Sequence, residues 1–252
     1  MSTNTGAILG DAEISEVGAL LADRARCRVL MALNDGRALP ASVLATEAGV
    51  ARSTASSHLG KLTDAGLLQV ETHGRHRYYR LAGADVGRLL EQLTQLAPAA
   101  PVRSLREGNR AARLRNARTC YDHLAGRLGV SLMAAMLDHH YLDGGDGLFH
   151  PQEAHHDRVV GYGRDVEYTL TESGWDFLDT AGIAIPEGNR SLIRYCVDWS
   201  EQRHHLAGLL GRALLNRFLD AAWICRRENC RSVQVTAVGR TMLAELFDIS
   251  WA

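Results

Sequence analysis

Nowhere in these 252 residues does an uninterrupted apolar run approach the ~20 residues of a membrane span. The opening MSTNTGAILGDAEISE lacks the basic start and apolar core of a secretory signal, so a cytoplasmic chain with no membrane partner is expected. Cysteine is scarce, odd in number and scattered, at Cys27, Cys120, Cys196, Cys225 and Cys230. That excludes a secreted disulfide framework and leaves free thiols available to a metal or an oxidant. Net charge is only −1, so no global field announces a partner. Catalytic signatures are missing too: there is no His-Glu-x-x-His, Gly-x-Ser-x-Gly, Gly-x-x-x-x-Gly-Lys or dinucleotide glycine pattern. Glu201-x-x-His204 alone is a coincidence of helical spacing, and no enzyme is expected.

What is present is a soluble composition, 46% hydrophobic and 23% charged, long enough for more than one core. Apolar residues Val17, Leu20, Leu21, Val29, Leu30 and Leu33 fall at helical spacing, with Asp23 a cap between two helices. After the turn NDGRALP, PASVLATEAGV predicts a short helix stopped at Gly49. RSTASSHLGKLTDAGLL, residues 52–68, then repeats Ala55, Leu59, Leu62 and Ala65 on one face. Arg52, Ser53, Thr54, Ser56, Ser57 and Lys61 are left to the other. LLQVETH and HRYYRLA alternate around Gly74-Arg75, which predicts a hairpin with a basic tip. Between Val50 and Arg80 five Lys/Arg stand against two acids, a local +3. Helix, turn, helix and hairpin make a winged helix-turn-helix, whose second helix enters the DNA major groove.

STASSHLGKLTDAGLL and GRHRYYRL, in that order, resemble the DNA-binding domain of the ArsR/SmtB family of bacterial repressors over residues 14–97, about a third of the chain. The resemblance implies a homodimer reading a palindromic double-stranded DNA operator. Arg52, Ser53, Thr54, Ser56, Ser57, His58 and Lys61 would make contacts from the helix, and Arg75 and Arg77 from the wing. His58 could equally pack against the first helices. ADVGRLLEQLTQLA, with Val86, Leu89, Leu90, Leu93 and Leu96 in register, would be the dimer helix. Both familiar metal sites of the family are missing: LPASVLATEAGV has no cysteine or histidine, and ADVGRLLEQLTQLAP offers only Asp85 and Glu91. A winged helix that binds only proteins is the rival from another class.

PAAPVR at 98–103 reads as a linker, and Ser104-x-x-Glu107 as a capping box opening a long helix with a Leu114, Ala117, Tyr121, Leu124, Leu128 seam. Six arginines between 103 and 118 would form a solvated or interdomain face, or contact phosphate. HLAGRLGVSLMAAMLDHHYL (123–142) aligns without a gap on HLAGLLGRALLNRFLDAAWI (205–224), with nine of twenty positions identical. YTLTESGWDFL (168–178) then matches VQVTAVGRTML (233–243), so the first copy carries about 17 extra residues. The expected architecture is mainly α with small β-hairpins. A tail at 1–13 precedes the winged domain at 14–97, and after the linker a C-terminal α+β domain at 104–252 holds two degenerate winged-helix-like repeats, about 120–180 and 202–250.

Neither repeat keeps the Ser/Thr-rich surface, so this half is expected to sense an effector or shape the dimer. The repeat superposes His123 on His205, and a pseudo-twofold would gather Cys120, His123, Cys196 and His205, with Asp198 and His204 nearby. Such a set suits zinc or another thiophilic metal. Cys120 and His123 are expected at i and i+3 on one helix. Tyr121, Trp175, Trp199, Phe218 and Trp223 could instead line an apolar pocket for an organic effector, which the empty family metal positions and the large added domain favour. Cys225 and Cys230 could oppose one another on the last hairpin and sense oxidants. His139, His140, His150, His155 and His156 gather loosely around the long insertion.

Overall fold

The computed structural model describes residues 13–74, 76–97, 104–159, 161–227 and 230–251. The linker at 98–103, the tail before Glu13 and the wing residue Arg75 lie outside them. No helix among the described residues is long and apolar enough to cross a membrane. The chain divides into two compact units.

The first unit, formed by residues up to Leu33 and by 38–82, runs α1 (Ile14–Leu21), α2 (Arg24–Leu33), β1 (Leu39–Pro40), α3 (Ala41–Ala48), α4 (Arg52–Asp64), β2 (Leu68–His73) and β3 (His76–Leu81). Asp23 accepts from the Arg26 amide at 2.9 Å, capping α2 as its position suggests. Gly49 ends α3 in the left-handed region, so the chain turns straight into α4. Val29, Leu30 and Leu33 of α2, Leu44 of α3, and Leu59 and Leu62 of α4 are fully buried, forming the core that fixes the two helices of the turn. β3 lies between β1 and β2, and the β2–β3 register closes at His73 opposite His76 across a two-residue loop.

The second unit takes in residues 34–37 and the chain from Gly83. The division therefore falls before α5 (Ala84–Leu96), which joins this unit rather than the winged one: buried Leu90 and Glu91 are its inward face, with Arg231 against Glu91. α6 (Leu105–Asn116) opens with Glu107 donating its amide to Ser104 Oγ at 3.1 Å. The long helix expected through Leu128 stops at Asn116, because Ala117 turns extended and β4 (Arg118–Thr119) begins. β4 pairs with β5 (Leu124–Ala125), which leads into α7 (Gly126–Asp138). β6 (Leu142–Asp143), β7 (Thr169–Leu170) and α8 (Glu172–Thr180) complete the first repeat.

The second repeat is β8 (Arg194–Val197), β9 (His204–Ala207), α9 (Gly208–Asp220), β10 (Ile224–Arg226), β11 (Val233–Val235) and α10 (Ala237–Phe247). Each copy is thus a hairpin, a buried helix, a second ladder and a closing helix. The closing helices are capped alike, Thr171 accepting from Gly174 N and Thr236 from Gly239 N, both at 2.9 Å. Within each copy a hairpin, and no helix across a tight turn, precedes α7 or α9. Among the described residues a helix-turn-helix therefore occurs only in the first unit. One core, including Leu128, Met133, Leu210, Leu214, Phe218 and Leu243, runs through both copies.

Candidate nucleic-acid interface and Cys-His centre

α4 buries Ala55, Leu59 and Leu62, and its 3.6-residue period then presents Arg52, Ser53, Thr54, Ser56, Ser57 and Lys61 to solvent. Ser56 Oγ donates to Arg52 O at 3.0 Å, which leaves its lone pairs facing outward. A groove of about 520 Å³ separates α4 from the wing, with Ser42, Ser56, Thr63, His76 and Arg77 among its walls. Arg77 is exposed on β3, while Arg80 is held by Glu71 at 2.9 Å. His58 leaves this surface. Its ring is 13% exposed, with Nδ1 3.5 Å from Arg26 Nη1 and Nε2 3.9 Å from Asp23 Oδ1, so it packs on the α1–α2 turn.

The second unit builds a different kind of site. Cys120 and His123 are not on a helix: Cys120 N donates to His123 O at 3.0 Å, making them the last cross-strand pair of the β4–β5 hairpin around Tyr121-Asp122. Cys196 and His205 are the same pair in β8–β9, directly opposed in register. Opposed residues of a hairpin put their side chains on one face. The hairpins meet across the repeat axis, where a Cβ on Gly129 would lie 3.4 Å from His205 Cβ and one on Gly211 3.1 Å from His123 Cβ. The two imidazoles stand 5.1 Å apart, centroid to centroid. Two thiols and two imidazole nitrogens thereby fall within 4.8 Å of one another.

Chemistry around the four donors is that of a ligand set. Both Nε2 atoms, of His123 and of His205, are buried without a hydrogen-bond partner, a costly arrangement unless something fills it. The other nitrogens face carboxylates: His123 Nδ1 lies 3.3 Å from Asp122 Oδ1, and His205 Nδ1 3.5 Å from Asp198 Oδ2. The carboxylate of Asp122 is placed to fix the His123 tautomer, whereas His205 Nδ1, like both Nε2 atoms, makes no hydrogen bond. The Cys196 thiol, hydrogen-bonded to Cys120, holds the Cys120 thiol well below its usual range against the effect of burial. That bond and burial push Cys196 well above its own. Burial works to lower His123, but the Asp122 carboxylate and the neighbouring Cys120 thiol outweigh it and lift the ring to about 9. Asp122, bonded to His123 and Arg190, is held at about 2 despite burial.

Asp198 lies outside the group of four and is held by Arg118. Burial would raise its carboxyl, yet the Arg118 guanidinium at 2.8 Å leads the groups that hold it at about 2, and Gly126 N donates to the same oxygen at 2.7 Å. Arg118 itself, expected on an arginine face, is 2% exposed because of this pair. His204 departs as well. Strand alternation turns it to the opposite face of β9, where Nδ1 meets Tyr168 Oη at 2.8 Å, and burial pushes it down to about 4.

The five aromatic residues do not converge on one pocket. Phe218 and Trp223 are buried edge to face at 4.9 Å, Trp199 lies under the Arg118 guanidinium at 4.8 Å, and Trp175 is 45% exposed on α8. Tyr121 borders a cavity of about 410 Å³ that reaches Cys120, His123 and Cys196 and is walled by Arg88, Leu89 and Gln92 of α5 and by Tyr162. This cavity gives the donors an entrance. All five cysteines are free. Cys225 is opposed by Gln234 and not by Cys230, whose Sγ lies 3.0 Å from Ser232 Oγ, so no disulfide is poised on the last hairpin. The loop histidines take separate carboxylates, His139 with Asp248, His150 with Asp146 and His156 with Asp165. For Asp122 the one signal in the sequence is its adjacency to His123, and nothing there sets Arg118 apart from its neighbouring arginines.

A family profile described as a helix-turn-helix domain matches residues 21–71. Over 230 residues the chain is 40% identical to the uncharacterized HTH-type transcriptional regulator YdfF of Bacillus subtilis (strain 168), covering 90% of this chain and 93% of that one. It is 38% identical over 86 residues to the HTH-type transcriptional regulator CmtR of Mycobacterium tuberculosis, covering 34% of this chain and 72% of that protein. Among solved structures, a homodimeric winged helix-turn-helix DNA-binding domain from Mycobacterium bovis, Mb0332, described as a possible ArsR-family regulator, aligns with a TM-score of 0.30 and 31% identity. That alignment covers 35% of this chain and 88% of that one.

Proposed function

This chain belongs to the ArsR-family winged helix-turn-helix transcriptional regulators, and from that premise we propose that it is a homodimeric repressor whose operator affinity is set by a zinc-class metal ion at Cys120, His123, Cys196 and His205. DNA-binding regulation comes with the family. The metal is our reading, and one observation carries it: two thiols and two imidazole nitrogens fall within 4.8 Å of one another, with the Nε2 atoms of both rings buried and without a hydrogen-bond partner. Two sulfurs and two nitrogens are the donor set of zinc and of similar thiophilic divalent ions. For the organic effector that the empty family metal positions and the large added domain favour, the five aromatic residues do not supply a common pocket.

Reading of DNA falls to Arg52, Ser53, Thr54, Ser56, Ser57 and Lys61 of α4 with Arg77 and Arg75 of the wing. Arg supplies bidentate donors for guanine or a phosphate charge, and the short hydroxyls allow close approach. Self-association falls to α5, where Leu93 and Leu96 are 38% and 86% exposed, an apolar surface that a second copy would cover. Each ion bound releases operator to the extent that it prefers the DNA-free form, and a coupling of 1–3 kcal/mol changes affinity about 5–150-fold.

The test is a fluorescence-anisotropy titration of a duplex from upstream of the protein's own gene, with metal-free protein and with one equivalent of zinc per chain. We expect tight, salt-sensitive binding without zinc and weakened binding with it. Binding unchanged by zinc would refute the metal reading, and no specific binding to any upstream duplex would refute the operator reading.

A further inference from the structure

We propose that Arg231 carries metal occupancy from the Cys-His centre to α5 and to the 34–37 turn, making it the positioning residue through which the ion changes operator binding. The proposal rests on the metal reading above. Three consecutive residues of one strand connect the centre to Arg231. Cys120 is a donor; Thr119 N donates to Arg231 O at 2.8 Å; and Arg118 grips Asp198, which faces the donor His205. The same strand is laddered further along, with Arg118 bridged to Ser232 and Val233 N donating to Ala117 O at 3.0 Å.

Arg231 then reaches forward with its backbone N–H and its guanidinium. Its backbone N–H donates to Asp35 O at 2.7 Å, its Nε to Asn34 O at 2.9 Å, and its Nη2 to the Glu91 carboxylate of α5. Glu91 is 3% exposed and Asp35 1%, so these contacts are shielded from water and geometrically committed. Residues 34–37 join α2 to β1, and so lie on the covalent path between the first two helices and the winged sheet. α5 is the helix to which the dimer seam is assigned.

The centre supplies a displacement to transmit. Donors now up to 4.8 Å apart would stand about 3.3–3.8 Å apart in a tetrahedron with zinc–ligand distances of 2.0–2.3 Å. Cys120, which neighbours Cys196, His123 and His205 within the set, would move with them as the set contracts. A movement there acts on Thr119, one residue along a hydrogen-bonded strand, and through it on Arg231.

Full-length wild type, Arg231→Ala and Glu91→Gln would be compared by two measurements: zinc affinity by competition with a chromogenic chelator, and operator affinity by anisotropy with and without zinc. Glu91→Gln preserves shape and removes the charge that fixes the guanidinium, so it decides the matter if Arg231→Ala fails to fold. We expect zinc affinity within about threefold of wild type in both variants, while the zinc-induced operator shift, about tenfold or more in wild type, falls below about twofold. A merely structural role would leave that shift intact at equal zinc occupancy. The full shift retained in the folded variants overturns the route through Arg231 and leaves the metal centre standing; a wild type that takes no zinc overturns the metal reading and this proposal with it.

Discussion

Replacing Cys196 by Ser is the sharpest probe of the centre. The change removes one soft donor, conserves shape almost completely, and leaves the β8–β9 ladder untouched, because the Cys196–His205 pairing is a backbone register. Four-donor zinc sites in small domains bind with apparent free energies of ~10–16 kcal/mol, so an even share per donor is about 2.5–4 kcal/mol. At 1.4 kcal/mol per factor of ten, the expected loss is roughly 60–700-fold in zinc affinity. Cys225→Ser is the matched control, since Cys225 is exposed on β10 opposite Gln234. Competition against a chromogenic chelator would report both affinities, with circular dichroism to establish that the fold survives. A Cys196→Ser protein that holds zinc within about threefold of wild type would refute the assignment of this donor set.

Zinc affinity should also rise with pH. His123 sits at about 9 and Cys196 well above the usual thiol range, so an ion must displace their protons, and apparent affinity falls as pH drops from 9 towards 6; a flat profile by chelator competition would contradict this. On the DNA side, Arg52→Ala and Arg77→Ala should each weaken operator binding and flatten the log-affinity versus log-salt plot by about 0.9 if each neutralises one phosphate. Unchanged slopes in anisotropy titrations would remove these residues from the interface. His204 makes a prediction about stability. Burial holds it at about 4 in the native protein against an ordinary 6.5, so its contribution is complete above pH 6.5 and is lost as pH falls towards 4. The loss is on the order of 3 kcal/mol. Thermal midpoints should drop across that window, and His204→Gln should flatten the drop.

The winged unit was open to reading because its determinants are local. Asp23, Gly49 and the Gly74 turn act on their immediate neighbours, and the 3.6-residue period of Ala55, Leu59 and Leu62 fixes which side of α4 faces water. His58 escaped that logic, since one tertiary contact, with Asp23 and Arg26, outweighs its place on the helix. In the second half the repeat and the register of its helices were visible, and the hairpin ahead of each helix was not. Only two residues separate Cys120 from His123 but eight separate Cys196 from His205, so an ungapped alignment matches the histidines and hides the equivalence of the cysteines. The reading of Cys120 and His123 as helical neighbours failed for a related reason: a chain of good helix formers is interrupted when Ala117–Thr119 finds backbone partners in residues 231–233, more than a hundred positions away.

By itself the sequence determined the helix-turn-helix and wing, the polar face of α4, and the presence of a duplicated segment carrying cysteine and histidine, because periodicity, caps and turn residues act over a few positions. Tertiary structure alone decided that Asp198 pairs with Arg118 and His204 turns away, that the aromatic residues scatter, and that α5 joins the second unit. Those outcomes depend on which strand pairs with which and on which buried charge meets its counter-ion, and such long-range choices are settled only when the chain has closed its core.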